Sequence, residues 1–419
     1  MSSHNQSQLA DQHAHEAPVV RDREHCGFES ENVAGVSNDF GLSGVASRSA
    51  VSPSGRRPLR VAMVSALALP EMGGIETHVH EVSTRLAGAG VGVTVLTTDR
   101  SGELPVEEEF PGYHVRRWRS YPRSRDYCLA PGLARHLMSE PYDVVHVQGI
   151  RTLLAPTALA AARRAGVPSV LTLHTGGNRS ALRQSLRPLQ FRLCVPLLRR
   201  TAALVAVCEY ERHNFGVLLG VDDRTIRLIR NGCEPLPIDP SAEKTDGSPL
   251  LVSVGRLERF KGHHRILGAM PDILAQAPNA RLVLVGNGPY EKPLRAMANR
   301  LGVADRVSIC CFGPDRRGAL GRLIADADVF CLLSESEAHP IAVMEAVGAG
   351  TRALVADTTG LSELGRAGLV TTIALKASAD HIAATALDLA AAPRAAPPPT
   401  PSWDDCAEEL HRLYWEIAA

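Results

Sequence analysis

Aromatic residues are scarce in this chain of 419 residues and make up only 4% of it. Apolar residues still account for 45%, so alanine, valine and leucine must fill the interior. That composition favours buried parallel strands covered by alanine-rich helices over a β-sandwich with an aromatic core. The length is sufficient for two domains with separate cores.

Net charge is absent as well, because Lys plus Arg and Asp plus Glu number 45 each. A balanced chain gives no electrostatic reason to expect nucleic acid as a partner. One local basic cluster spans residues 183–200. It is most simply explained as a solvated helix face, and contact with an anionic lipid or acceptor is the alternative. Peripheral membrane contact therefore stays open.

The sequence also lacks paired cysteines and long apolar runs. Its nine cysteines form no C-x-x-C motif, which argues against a zinc or disulfide framework. Several lie in strand-like runs, as expected of small buried thiols in a reducing cytoplasm. No apolar run approaches the ~20 residues of a membrane helix, and the polar N-terminus has no signal-peptide core. We expect a cytoplasmic protein without an integral membrane segment.

Strand-like and helix-like segments alternate along two stretches of the chain. Residues 1–57 are polar and predict a disordered extension. Residues 58–235 form the first alternating series, 236–249 a linker rich in proline and charge, and 250–395 the second series. An amphipathic helix over 402–419, with Ser402 as N-cap, is expected to complete the first domain. The pattern predicts an α/β protein of two doubly wound, Rossmann-like domains facing each other across a cleft.

Ten short apolar runs are predicted to be the strands of these two domains. They are 59–65, 91–97, 142–149, 169–174 and 203–208 in the first series, and 250–256, 281–288, 307–313, 328–334 and 352–360 in the second. In open parallel sheets, ligands bind beyond the carboxyl ends of the strands. The motifs with chemical potential lie at such ends.

Arg256 and Lys261 share one loop in the segment VGRLERFKGHH. Two fixed cations there could neutralise a diphosphate and stabilise it as a leaving group. Taken alone, the same residues also fit an exposed loop with ordinary surface charges.

Two glutamates follow the strand-like run DVFCLLS. Glu337 lies on the loop, and Glu345 on a helix that we expect to begin with Pro340 at its first position. The free amides of Ile341 and Ala342 would then lie at the positive end of the helix dipole, ready for a phosphate. Alternatively, Glu345 would be a surface residue of the helix and Glu337 a neighbour of the helix cap.

Asp326 and Asp328 form a D-x-D pair, which in another fold would suggest a metal–diphosphate site. Here the pair precedes a strand instead of following it. It therefore lies far from the carboxyl end where ligands are expected. We expect no metal and no cofactor.

Taken together, these motifs resemble glycosyltransferase family 4, whose members have the GT-B fold. VGRLERFKGHH, VGNGP and the E-x7-E of EAHPIAVME resemble its donor-site signature. In the first series, PEMGGIETHV, LHTGG, VAVCEYER and IRNGCEP match in the expected order. The resemblance covers residues 59–417.

The resemblance implies a division of roles within a donor site. Arg256 and Lys261 would hold the diphosphate of a nucleotide sugar. Glu345 would hold the ribose, and Glu337 the transferred sugar. His174 would meet that sugar from across the cleft, although a lone histidine at the end of a buried strand is often structural.

The resemblance also implies supporting positions around the donor. Gly73 and Gly74 would let a loop of the first domain approach the donor phosphate or the acceptor. Gly286 and Gly288 would allow close backbone approach beside the nucleotide. Phe312 and Gly313 would lie near its base.

One segment departs from the family pattern. Ala338, His339 and Pro340 stand where the family usually has Gly-Phe-Gly. Pro340 removes a backbone donor where sugar hydroxyls are normally held, and His339 adds an imidazole that could replace it or merely pack. This variant looks like transferases of actinobacterial secondary metabolism, including those of aminoglycoside-type antibiotics.

The function implied is retaining transfer of a hexose or N-acetylhexosamine. The donor would be a nucleotide diphosphate sugar, most simply UDP-linked, and the acceptor a small polyol or aminocyclitol. Transfer to a lipid carrier or polysaccharide is the alternative within the class. A non-catalytic nucleotide-binding scaffold is the alternative outside it.

Overall fold

The computed structural model describes residues 57–122, 128–175, 191–394 and 396–419. The expected disordered extension lies outside these ranges, except for residue 57. So do residues 183–190 of the basic cluster and the two glycines of LHTGG.

The first half of the chain forms an eight-stranded sheet in the order β3-β4-β2-β1-β5-β6-β7-β8. Every pair is parallel except the β3–β4 hairpin at one edge. The strands are β1 (Arg60–Ser65), β2 (Gly92–Asp99), β3 (Glu107–Phe110), β4 (Tyr113–Arg119), β5 (Val144–Gln148), β6 (Ser169–Thr172), β7 (Ala203–Ala206) and β8 (Arg227–Leu228). Because both faces are covered, the central strands are almost continuously apolar.

The helices of this half are α1 (Gly74–Gly88), α2 (Pro131–Ser139), α3 (Leu154–Arg164) and α4 (Glu209–Leu219), and residues 191–198 are also helical. In α1 the buried Val79, Val82 and Leu86 recur at helical spacing and face the sheet. The chain then passes through residues 229–249 to the second half.

The second half forms a six-stranded, fully parallel sheet in the order β11-β10-β9-β12-β13-β14. Its strands are β9 (Leu250–Val254), β10 (Arg281–Val285), β11 (Val307–Cys310), β12 (Val329–Leu332), β13 (Arg352–Ala356) and β14 (Thr371–Ile373). Its helices are α5 (His263–Gln276), α6 (Glu291–Arg300), α7 (Arg317–Asp326), α8 (Ile341–Gly348), α9 (Thr359–Arg366) and α10 (Ala379–Ala391). The strand order reverses between β9 and β12, so the loops after these two neighbours diverge and leave room for a ligand.

The last helix, α11 (Trp403–Ala418), packs against α1 of the first half. Its predicted cap is confirmed: Ser402 and Asp405 form a reciprocal capping box. Tyr414 of α11 is fully buried, and its hydroxyl lies 2.5 Å from His146 Nδ1 on β5.

The Arg85 guanidinium connects α1 to the two segments in which the chain crosses from one half to the other. Arg85 donates to Glu81 on its own helix, to Glu234 after β8 and to Asp404 on α11, at 2.6–2.8 Å. Glu234 also accepts the Trp403 N–H at 3.3 Å. These contacts hold the two crossing segments side by side.

All ten predicted strands are present, but the β3–β4 hairpin, β8 and β14 were not predicted. β3 is the charged segment EEEF, and β8 and β14 are very short, so none has a sustained apolar pattern. In the second half, each strand ends before the predicted run does, and the residues left over form the loops described next. Within the described ranges, no helix is long and apolar enough to cross a membrane.

Candidate active site

The loop after β9 carries both predicted diphosphate cations. Arg256 Nη1 lies 2.7 Å from Glu258 Oε1, and Lys261 Nζ lies 2.7 and 3.0 Å from the two oxygens of Glu337. Both cations are therefore paired with a carboxylate. An ammonium carries three N–H groups, so Lys261 can contact Glu337 and a phosphate together.

The Lys261–Glu337 pair connects the loops after the two neighbouring strands β9 and β12. Glu337 is 6% exposed, and Thr359 fixes its backbone on both sides. The Thr359 hydroxyl lies 2.9 Å from the Glu337 N–H and 2.7 Å from its carbonyl oxygen, and the Gly360 N–H donates to the same carbonyl at 3.0 Å. Glu337 is thus held by α9 as well as by Lys261.

The helix that follows begins one residue later than predicted. Pro340 is its N-cap and Ile341 its first residue, because the first intrahelical bonds run from Val343 and Met344 to the Pro340 carbonyl. The amides of Ile341 and Ala342 precede those bonds. A Cβ added to Gly74 would lie 3.9 Å from the Ile341 side chain, so the Gly73–Gly74 loop of the first half lies against this helix end.

Glu345 lies one turn into α8 and is 8% exposed, so it is not the surface residue of the alternative interpretation. Burial raises the pKa of Glu345 to about 7, because a carboxylate loses its hydration there. Arg317 opposes the shift with a guanidinium 3.5 Å away, and Glu81 of α1 adds to it. A buried acid with a raised pKa is typical of functional sites.

Gly286 and Gly288 follow β10 with φ of 145° and 154°. A Cβ on Gly286 would lie 2.0 Å from the Gly255 carbonyl oxygen, and one on Gly288 would lie 2.4 Å from that of Leu257. The backbone that approaches them is that of the Arg256 loop, so both glycines support this loop. Their contact with a nucleotide stays a prediction.

Phe312 and Gly313, the last two residues of the predicted run 307–313, follow β11 in a half-buried segment. The Arg316 guanidinium lies 5.3 Å from the centre of the Phe312 ring. An aromatic face and a cation at the end of β11 can flank a planar base, and that role stays a prediction.

His174 lies just beyond β6 in a left-handed conformation with φ of 45° and is 9% exposed. Its Nε2 lies 2.8 Å from Gln148 Oε1 at the end of β5, and its ring centre lies 4.8 Å from that of His78. Burial lowers the pKa of His174 well below its usual value, so the imidazole is neutral at physiological pH.

His339 lies at the contact between the two halves and is 6% exposed. Its carbonyl accepts the Asn231 amide at 3.0 Å, and the Asn231 oxygen lies 3.0 Å from His78 Nδ1. Burial lowers the pKa of His339 to about 4. His339 Nδ1 is buried and has no hydrogen-bond partner in the described part of the chain.

The D-x-D pair serves the sheet. Asp326 pairs with Arg322 at 2.6 Å, and Asp328 accepts the Leu250 N–H at 2.8 Å. Among the described residues, no group of three or more side chains is arranged to hold a metal ion.

Sequence reasoning missed four residues of the site: Glu258, Arg317, Thr359 and Glu363. Glu363 on α9 accepts the N–H groups of Glu209 and Tyr210 at 3.0 and 2.6 Å, and so caps α4 of the other half. Glu258 is recognisable as a charged residue beside Arg256. The other three are separated in sequence from the residues they contact.

Two family models cover most of the chain. Glycosyltransferase Family 4 matches residues 72–235, and Glycosyl transferases group 1 matches residues 237–394. The D-inositol 3-phosphate glycosyltransferase of Nocardiopsis dassonvillei is 30% identical over 365 aligned positions, in an alignment that covers 77% of this chain and 82% of that relative. The chain belongs to glycosyltransferase family 4.

Further similarities support the fold of this transferase. The GDP-mannose:cellobiosyl-diphosphopolyprenol alpha-mannosyltransferase of Xanthomonas oryzae is 28% identical, over 76% of this chain and 85% of that relative. Anabaena HepE, solved in complex with UDP-glucose, superposes with a TM-score of 0.61 at 18% identity, over 86% of this chain and 98% of that one. The predicted GT-B fold and glycosyltransferase activity are confirmed.

Proposed function

We propose that this transferase moves a hexose or N-acetylhexosamine from a UDP-linked donor to a small polyol or cyclitol, with retention of configuration. The observation that carries the proposal is the Lys261–Glu337 pair. It keeps a phosphate-binding cation next to a hydroxyl-binding acid. A sugar 1-diphosphate presents those two kinds of group across one glycosidic bond.

The diphosphate would bind to the second half. Arg256 and Lys261 supply fixed positive charge, and the free amides of Ile341 and Ala342 add the positive end of α8. Both cations already have carboxylate partners, so the incoming phosphates share them. Fixed positive charge at this position favours a leaving group whose negative charge increases during the reaction.

Acids and imidazoles would hold the rest of the donor. Glu345 can accept both ribose hydroxyls once it is ionised. Glu337 can accept hydroxyls of the sugar, and His174 would meet that sugar from the opposite side of the cleft. Ala338, His339 and Pro340 stand where the family usually has Gly-Phe-Gly, which makes His339 our candidate for recognising the sugar.

The chemistry needs no nucleophile from the protein. An acceptor hydroxyl oxygen forms the new bond to C1, the bond from C1 to the β-phosphate oxygen breaks, and the electron pair leaves with UDP. The acceptor proton passes to a phosphate oxygen on the same face, so the anomeric configuration is kept. We propose that the reaction takes place in the cytoplasm without a metal ion.

The acceptor is proposed from the relatives. The Nocardiopsis relative is named for an inositol phosphate, a small cyclitol, whereas the Xanthomonas relative is named for a lipid-linked sugar. We favour a cyclitol, and transfer to a lipid carrier is the second candidate. A role in secondary metabolism rests on Ala338, His339 and Pro340 alone.

Thermal shift with UDP, GDP and ADP would test the donor. A ligand at 100 times its Kd stabilises by about 2.7 kcal/mol, so the correct base should stand out. Product formation is then followed with UDP-glucose and UDP-N-acetylglucosamine, with or without EDTA, on myo-inositol, inositol 3-phosphate and a polyprenyl diphosphate sugar. Proton NMR of the product gives the anomeric configuration. No shift with any nucleotide would refute the proposal, and a β-linked product from an α-linked donor would refute retention.

A further inference from the structure

The His174 ring is hydrogen-bonded through one nitrogen and packs edge-on against the His78 ring. Its Nε2 faces Gln148, and its Nδ1 makes no hydrogen bond within the described part of the chain. The next residue is fixed separately: the backbone N–H and hydroxyl of Thr175 both donate to Glu211, a fully buried carboxylate. The ring therefore has a defined position and one unused nitrogen.

The orientation of the Gln148 amide follows from its other neighbours. Its Nε2 lies 2.9 Å from Met63 Sδ and 3.2 Å from His146 Nε2. A thioether sulfur only accepts, so the amide must direct its NH2 group towards Met63. Its oxygen then faces His174. Gln148 is 4% exposed, so water does not compete for these contacts.

An amide oxygen only accepts, so His174 must carry its proton on Nε2. Nδ1 of the neutral ring then keeps its lone pair. A sugar hydroxyl that meets Nδ1 would donate its proton to it, and a ligand acceptor at that position would be repelled.

We propose that Gln148 is a positioning residue, which fixes the His174 proton on Nε2 and thereby presents Nδ1 as an acceptor to a hydroxyl of the transferred sugar. The proposal rests on the proposed function, because it assumes that His174 meets the sugar. Gln148 lies on β5, a different strand from the one that precedes His174, and it gives the imidazole the role of hydrogen-bond acceptor. Gln148 itself does not touch the substrate.

The surroundings favour this neutral state. His78 and His146 are the titratable groups that act on His174, and burial lowers the pKa of each, to about 4 and about 3. Among the described residues, no carboxylate acts on the ring to favour its doubly protonated form. In Gln148→Glu, a carboxylate would accept the same Nε2 proton and would also stabilise the imidazolium.

Two variants separate this role from a purely structural one. Gln148→Met keeps the size but not the acceptor, so kcat/KM should fall roughly tenfold at every pH, as for one lost hydrogen bond. Gln148→Glu keeps the tautomer, so activity at pH 8.5 should approach that of the wild type and then fall with acidification as His174 gains a second proton. The exposed Gln276→Glu is the matched control and should leave the pH profile unchanged. In a background of His174→Ala, Gln148→Met should cost nothing further.

A direct measurement does not depend on activity. A long-range proton–nitrogen NMR spectrum of the 15N-histidine-labelled protein reports the tautomer of each ring, with His174 assigned by its loss in His174→Ala. A proton on Nε2 supports the proposal, and a proton on Nδ1 overturns it. Matching pH profiles of Gln148→Glu and Gln148→Met would also overturn it. Full activity of His174→Ala would instead refute the contact with the sugar, whatever the tautomer.

Discussion

Glu345→Gln should make the protein more stable at neutral and alkaline pH. The pKa of this buried carboxyl is raised from 4.5 to about 7, mainly by loss of hydration. Well below pH 4.5 the group is protonated in the folded and unfolded states, and it contributes nothing to the difference. As pH rises from 4.5 to 7, the unfolded chain releases the proton and the folded chain keeps it, so stability falls.

The size of the effect follows from the two pKa values. A raised pKa of this extent corresponds to about 3 kcal/mol of lost stability above pH 7, as an upper limit. The shift already includes the attraction of Arg317, because that ion pair acts on the same equilibrium. Glutamine keeps the shape and removes the charge. We therefore expect Glu345→Gln to match the wild type near pH 4.5 and to exceed it at pH 8 by up to about 3 kcal/mol.

Thermal unfolding of the ligand-free protein between pH 4.5 and 8 measures this difference. The exposed Glu243→Gln is the matched control and should show no divergence. A variant less stable than the wild type at pH 8 would refute the reasoning, because the ion pair with Arg317 would then outweigh the burial of charge. If Glu345 also holds the ribose, the same variant should bind UDP roughly tenfold more weakly at pH 8.

Lys261→Ala should lower kcat by at least ~10²-fold if the ammonium stabilises the departing diphosphate, whereas the exposed Lys244→Ala should not. Near-normal turnover would remove Lys261 from that role. Glu363→Ala should let the two halves move apart, because the amides of Glu209 and Tyr210 lose their acceptor. Small-angle scattering should then show a larger radius of gyration. An unchanged radius would contradict this. Gly286→Ala should cost at least about 2 kcal/mol in unfolding free energy and raise the donor KM, because the new Cβ strikes the Arg256 loop. Normal stability and KM would show that this loop shifts freely.

The central strands could be predicted from sequence, because apolar runs such as RVAMVS are buried on both faces. The hairpin of β3 and β4 could not, since its charged residues are stabilised by pairing with one another and with β2. The start of α8 was misplaced by one residue because Pro340 is tolerated at both positions.

The site was predictable as a set of loops but not as a network of contacts. Arg256, Lys261 and Glu337 follow strands that are recognisable as apolar runs, and parallel topology brings the loops after such strands together. The contacts that complete the site were not predictable. Arg317, which pairs with Glu345, belongs to a distant segment of the chain. So does Thr359, which bonds the Glu337 backbone. The burial of Glu345 was also hidden, since α8 contacts α1 only after the two halves meet.

The contact between Tyr414 and His146 has a consequence for the order in which the protein folds. The Tyr414 hydroxyl, which contacts the His146 side chain on β5, belongs to a helix that is synthesised after the whole second half. During translation, the second half can therefore close around its own strands while the first still lacks α11. The first half emerges first from the ribosome but completes its folding last. Until α11 is made, the face of α1 that α11 covers stays exposed, and a chaperone would need to protect that surface.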